Sequence, residues 1–463
     1  MKILIQNGIV VNSNGSAQYD VLIESGKIVG LFLPGKFVDS DKACTHIVNA
    51  KGLYVLPGGV DPHCHVGFTS GQFSSLDNYE EATRAAACGG TTTIVDFAIP
   101  EKGETSLDAV HRQKARIRNS FCDSAMHGCV VEGLDDVTTV MREFEANGIR
   151  TVKMFTTYRD ELMASAETIM QVMKGLLDIR GMIYVHCEAD HIVSENQRVA
   201  AVNNLIDCSL HHRTRSELAE CISVAELLAM AETIRAPLYF VHQSCRGAVD
   251  RVAFAKASGN SVFSEAVLHH LVLDESVYAS EYAERFVCCP PIRSSETVKA
   301  LVRSLINGDI DTLGSDHCCY NLEQKNLLKF DVRLMPNGLP GVETRLLVGL
   351  SNLVLQQGLP IERFVAISST NPAKLNGLFP RKGVIAPGAD ADIVLWNLNS
   401  ESTVSIKNLN MATDYTPYEG KEIMVEHVAT YVRGTLVAEK SRPIETNKIG
   451  KFVAAGELNL NLK

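Results

Sequence analysis

From about residue 56 to residue 380, short apolar runs alternate with longer segments whose apolar residues recur every three or four positions. Ile94-Val95-Asp96-Phe97 follows a Gly89-Gly90 break after an alanine-rich helical stretch. Ser165 is placed to cap a helix carrying Ile169, Met173, Leu176 and Leu177 on one face and stopping at Gly181. The same spacing recurs at Val298, Leu301, Val302 and Leu305, closed by Asn307-Gly308. Strands alternating with helices of 10–15 residues predict βαβ units and a parallel sheet. A run of this length fits an eight-fold (β/α)₈ barrel better than an open sheet.

The two ends have a different texture. Ile3-Leu4-Ile5, Ile9-Val10-Val11, Val21-Leu22-Ile23 and Lys27-Ile28-Val29 are brief β-type runs broken by Gly, Asn and Ser, and Asp392–Trp396 and Thr430–Val437 repeat the pattern. Neither end has enough strand for a sheet of its own. Residues 1–55 and 380–463 are therefore expected to pair into one small β-sandwich domain beside a barrel of residues 56–379, an α/β fold overall.

The polar residues that interrupt this pattern stand at the ends of apolar strands. Val60-Asp61-Pro62 leads into His63-Cys64-His65, whose two imidazoles project to one face of an extended chain. Thr151-Val152 leads into Lys153, Met182–Val185 into His186, Leu238–Val241 into His242, and Asp311–Ser315 into Asp316. The C-terminal ends of all strands of a parallel barrel converge on one face, where active sites form. Six residues scattered from position 63 to position 316 can thus meet, and imidazole and carboxylate are the donors of hydrolytic metal sites. A lone strand-end His is more often a hydrogen-bonded structural residue; the six together argue otherwise. His46, His111, His127, His191, His211, His212, His269, His270 and His427 lack the position or the partners and are read as structural, and His317 as at most a support to the ligands.

Composition narrows the class. Hydrophobic residues make up 46% and charged residues 21% of 463, a globular mix without disordered or coiled-coil character. No apolar run reaches membrane-span length, and the polar start gives no secretory signal, which predicts a cytoplasmic protein. Lys+Arg 44 against Asp+Glu 54 gives −10, and no basic tract points to nucleic acid. The 13 cysteines lack CxxC spacing and are expected to be reduced, buried thiols.

Gly58-Gly59-Val60-Asp61-Pro62-His63-Cys64-His65 resembles the GG[IV]DPHTH motif of the cyclic amidohydrolases, specifically the dihydropyrimidinase and D-hydantoinase group. Gly89-Gly90-Thr91-Thr92-Thr93, Val152-Lys153-Met154-Phe155 with Tyr158, Pro290-Pro291-Ile292-Arg293, Ser315-Asp316-His317-Cys318, Pro336-Asn337-Gly338, and Lys382-Gly383 with Gly388–Asp392 extend the resemblance over nearly the whole chain. It implies a (β/α)₈ barrel with a β-sandwich from both ends, and a homotetramer. It also implies two divalent metal ions, usually zinc. His63 and His65 would hold one, His186 and His242 the other, with Asp316 completing the first. Lys153 would bridge both as a CO₂-derived carbamate (N6-carboxylysine), because an ammonium offers no acceptor.

The implied reaction opens a 5,6-dihydropyrimidine or 5-substituted hydantoin to the N-carbamoyl amino acid through a metal-bridging hydroxide. This is a hydrolase acting on a C–N bond of a cyclic amide, with a small cyclic ureide as its partner molecule. Asp316 would move the proton and Tyr158 would steady the oxyanion. Phe155 would line the pocket, and Cys289 and Asn337 would hold the ring edge. An allantoinase or dihydroorotase shares the ligand set; a non-catalytic, scaffold-type relative would have lost ligands that are all present here.

Overall fold

The computed structural model describes residues 2–38, 46–133 and 136–462. Eight parallel strands form the centre: Gly59–Cys64, Thr91–Ala98, Asp123–Cys129, Thr151–Phe155, Met182–His186, Leu238–Phe240, Val262–Val267 and Thr312–Gly314, each paired with the next. Parallel bridging between Cys64, the last residue of the first strand, and His317, just beyond the last strand, closes the ring. The expected barrel is observed. Every residue of these strands is buried, as both faces of a barrel sheet require.

The helices follow their predicted signals. Ser165 caps Ala166–Asp178 by accepting from Thr168 N, and Ile169, Met173 and Leu176 are buried. Leu177, expected on the same face, is 41% exposed, because adjacent positions on a helix are 100° apart and 176 already faces the core. Ser294 caps Ser295–Asn307, and Gly308 ends it in the left-handed region at φ 95°.

The chain ends join in one nine-stranded sheet. Tyr54–Pro57 pairs in parallel with Lys2–Asn12 and antiparallel with Ile393–Asn397, so the N-terminal strands and the strands Glu426–Val432, Thr435–Glu439 and Arg442–Pro443 share a ladder. Residues 449–456 leave this sheet and run along the barrel, where Gly450 N donates to Ser120 O and Val453 N to Ser124 O.

Two devices lock sheet to barrel. Gly90 has φ 84°, and a Cβ there would lie 2.8 Å from Trp396, a fully buried ring of the sheet. Lys382 is buried among three carboxylates, 2.6 Å from Asp123 of the barrel, 2.7 Å from Asp392 and 3.0 Å from Asp390. The Lys-Gly and Ala-Asp-Ala-Asp motifs near residue 385 are therefore an inter-unit ion-pair cluster.

Candidate active site

The six strand-end residues lie together at the C-terminal mouth of the barrel. His63 and His65 leave the first strand with ring centroids 5.2 Å apart, and His63 lies 5.3 Å from His242, which is 4.5 Å from His186. Asp316 Oδ1 lies 3.0 Å from His63 Nε2 and 3.2 Å from His65 Nε2, so one ion could touch all three donors. His242, Asp316 and Tyr158 all have positive φ (35°, 49° and 70°), conformations that side chains other than Gly adopt only where the surroundings enforce them.

Lys153 rises from the fourth strand with its Nζ 4.8 Å from the Phe97 ring centroid and 5.0 Å from that of Phe155. Its side chain is buried, and among the described residues no carboxylate pairs with it. Burial lowers its pKa to about 8, so a larger fraction of the amine is neutral near pH 7 than in an exposed lysine, and the neutral amine is the form that can react with CO₂.

The four surrounding imidazoles divide by charge. Burial alone would lower His63, but Asp316 and Glu265 outweigh it and raise it to about 9; the cavity favours positive charge there. Burial lowers His65 to about 4 and also lowers His186 and His242, leaving neutral rings. His242 Nδ1 is buried without a hydrogen-bond partner among the described residues, and His63 Nε2 faces the Asp316 carboxylate. An orphaned nitrogen, a carboxylate set between two imidazoles and a buried lysine outside any ion pair together fit a pair of divalent cations.

A cavity of about 80 Å³ is bounded by His65, Lys153, His186, His242 and Asp316 on one side and by Phe155, Tyr158, Cys289 and Asn337 on the other. It shares Ser70, Tyr158, Glu161 and Asn337 with an outer chamber of about 640 Å³. Burial keeps the Tyr158 phenol protonated. Cys289 Sγ donates to Asn337 Oδ1 at 3.1 Å, so the two expected ring-edge residues are joined.

The model of the amidohydrolase family matches residues 54–437. The chain belongs to the amidohydrolase family. Among relatives in that family, a D-hydantoinase of Geobacillus stearothermophilus is 33% identical over 97% of this chain and 96% of its own. A dihydropyrimidinase of Rattus norvegicus is 33% identical over 98% and 88%. The crystal structure of a dihydropyrimidinase from Brevibacillus agri superposes with a TM-score of 0.94 over 99% of both chains at 33% identity. Membership makes the chain an amidohydrolase-type hydrolase, with divalent metal use characteristic of the family.

Several residues of this amidohydrolase site escaped sequence reading. Glu265 lies in the strand Val262–Val267 and fixes His63; Glu188 lies 2.8 Å from His186 Nε2 and 2.6 Å from Arg215. The signal for Glu265 was available: a carboxylate inside an otherwise apolar strand. His317, read as a support, has Nε2 2.6 Å from Asp77 and accepts from Gly341 N through Nδ1. His127, read as structural, bonds Thr151 and the Pro62 carbonyl and stacks on Phe97. Twelve described cysteines are free, as expected; Cys44 lies outside the described residues.

Proposed function

We propose that this chain hydrolyses a cyclic ureide, opening a 5,6-dihydropyrimidine or a 5-substituted hydantoin to the N-carbamoyl amino acid. The observation that carries the reading is Lys153, buried at the barrel mouth with four histidines and Asp316 and in no direct ion pair among the described residues. The names of the relatives, D-hydantoinase and dihydropyrimidinase, support the substrate class.

In this reading His63, His65 and Asp316 hold one divalent ion, His186 and His242 the other, and Lys153 serves both as N6-carboxylysine. The amine loses a proton and bonds to CO₂, turning a cation into a carboxylate-like donor. When bound, the two ions, taken as zinc, supply Lewis acidity that polarises the scissile carbonyl and acidifies the attacking water. Asp316 accepts the proton of that water and returns it to the ring nitrogen as the C–N bond breaks. The Tyr158 hydroxyl donates to the carbonyl oxygen as negative charge builds there. Cys289 and Asn337 hold the amide edge of the ring, Phe155 packs on it, and the 5-substituent occupies the outer chamber.

The reading extends to a cytoplasmic homotetramer, supported by the resemblance and tested by sedimentation of the purified chain. No helix among the described residues is long and apolar enough to cross a membrane. Residues 1–55 with 380–463, and 56–379, are taken as its two units.

Lys153→Ala tests the core of the proposal. Activity should fall by orders of magnitude and recover partly with added short carboxylic acids, which replace the missing carbamate. Near-normal turnover without additive would contradict it.

A further inference from the structure

Four groups of potential ligand side chains converge within 4.8 Å among the described residues: His63–His65–Asp316, Asp77–His317–Cys319, Asp123–Asp390–Asp392 and His269–His270–Cys288. The first belongs to the site above. Asp77 Oδ2 and His317 Nε2 are hydrogen-bonded to each other at 2.6 Å, and the three aspartates surround Lys382, so the donors of these two groups are already paired by charge. The fourth is not.

His269 and His270 open the short helix Leu268–Val272, directly after the strand that carries Glu265. They are 2% and 1% exposed, and their ring centroids are 4.5 Å apart. His270 Nε2 lies 3.0 Å from the Pro290 carbonyl, which can only accept; Nε2 therefore carries the proton and Nδ1 a lone pair. Among the described residues neither His270 Nδ1 nor His269 Nε2 has a hydrogen-bond partner. Two buried, aromatic nitrogens without partners are costly unless something fills the space between them. Cys288, 1% exposed, supplies the third donor, and its thiol donates a weak bond of 3.4 Å to Pro290 O.

We propose that His269, His270 and Cys288 form a further divalent-metal site of zinc type, distinct from the two-ion site at the barrel mouth. Two imidazoles and a thiolate are a borderline-soft set suited to zinc, and the carbonyl that fixes the His270 tautomer is the outer support such ligands usually have. Binding releases the Cys288 thiol proton to solvent and forms the metal–sulfur bond; no oxidant is needed. The ion ties the loop 287–293 to the strand of Glu265. Because Cys288 precedes Cys289, it anchors the segment assigned above to the substrate ring edge.

The full-length chain loaded with Co²⁺ provides the test. Cobalt bound to a thiolate gives a near-ultraviolet charge-transfer band, whereas nitrogen and oxygen ligands do not. The band should be present, should vanish in Cys288→Ser and in His270→Gln with loss of one ion per chain, and should persist in Cys289→Ser. It should also persist in Lys153→Ala, which separates this site from the proposed two-ion centre. Absence of the band at saturating Co²⁺, its survival in Cys288→Ser, or its loss in Lys153→Ala would overturn the proposal. If Cys288→Ser does not fold, His270→Gln and His269→Gln carry the same test.

Discussion

The Glu265 carboxylate lies 2.7 Å from His63 Nδ1, although the two residues are held by the seventh and first strands of the barrel. The same carboxylate accepts from His242 N at 2.9 Å and from the Tyr239 hydroxyl at 2.8 Å. One buried group thus sets the tautomer of His63, leaving Nε2 for a cation, and fixes the backbone that presents His242.

Glu265→Gln keeps the shape and removes the charge. Outer partners of metal-binding histidines typically contribute about 10–100-fold to affinity or activity. We expect a loss in that range, with a chelator stripping the ions faster than from the parent. Unchanged metal retention would show that Glu265 only fills space.

Lys325 joins the two loops on the substrate side. Its Nζ donates to Val287 O at 2.8 Å and to Pro336 O at 2.9 Å, next to the segments bearing Cys289 and Asn337. Lys325→Met removes both charge-assisted bonds; Val287 O keeps Gly338 N as a donor, while Pro336 O loses the Lys325 bond, a cost on the order of 1.5–3 kcal/mol. KM should rise roughly 10-fold or more, with kcat changing less. A fall in kcat at constant KM would place Lys325 elsewhere in the mechanism.

Tyr158→Phe removes the hydroxyl while keeping the ring that stands 5.2 Å from His186. Loss of one oxyanion donor costs about 10²–10³ in kcat. Full activity in this variant would remove Tyr158 from the proposed chemistry.

These residues also show what the sequence makes legible. His63, His65, Lys153, His186, His242 and Asp316 stand out because each breaks an apolar strand at its end, and a parallel barrel gathers such ends on one face. Glu188, Arg215 and Lys325 are not visible in this way. Glu188 and Arg215 lie on loops, and Lys325 on the short helix Leu322–Leu327 between loops, whose paths no periodicity encodes; Glu188 to Arg215 is a tertiary ion pair. The strand texture at the chain ends predicts their pairing, but not that Tyr54–Pro57 is the strand joining them or that residues 449–456 return to the barrel. Leu177 shows the limit of a helical stripe drawn one residue too wide.

Away from the site, Glu343 gives a pH signature. Burial raises its pKa from 4.5 to about 8, against the opposing bonds from Asn410. The folded state keeps its proton while the unfolded chain loses it above about 4.5. Its contribution to stability is therefore complete below that pH and is lost as pH rises through about 8, a change on the order of a few kcal/mol. Glu343→Gln should flatten the decline of Tm between those values. An equal decline in the variant would assign it to other groups.

The central claim is tested most directly by the chain reconstituted with zinc and bicarbonate, assayed in parallel on dihydrouracil, hydantoin, 5-phenylhydantoin and allantoin. The account predicts ring opening of a dihydropyrimidine or hydantoin in preference to allantoin, abolished by chelation and restored by metal. Turnover that survives complete metal removal, or none on any of the four with both ions bound, would contradict it.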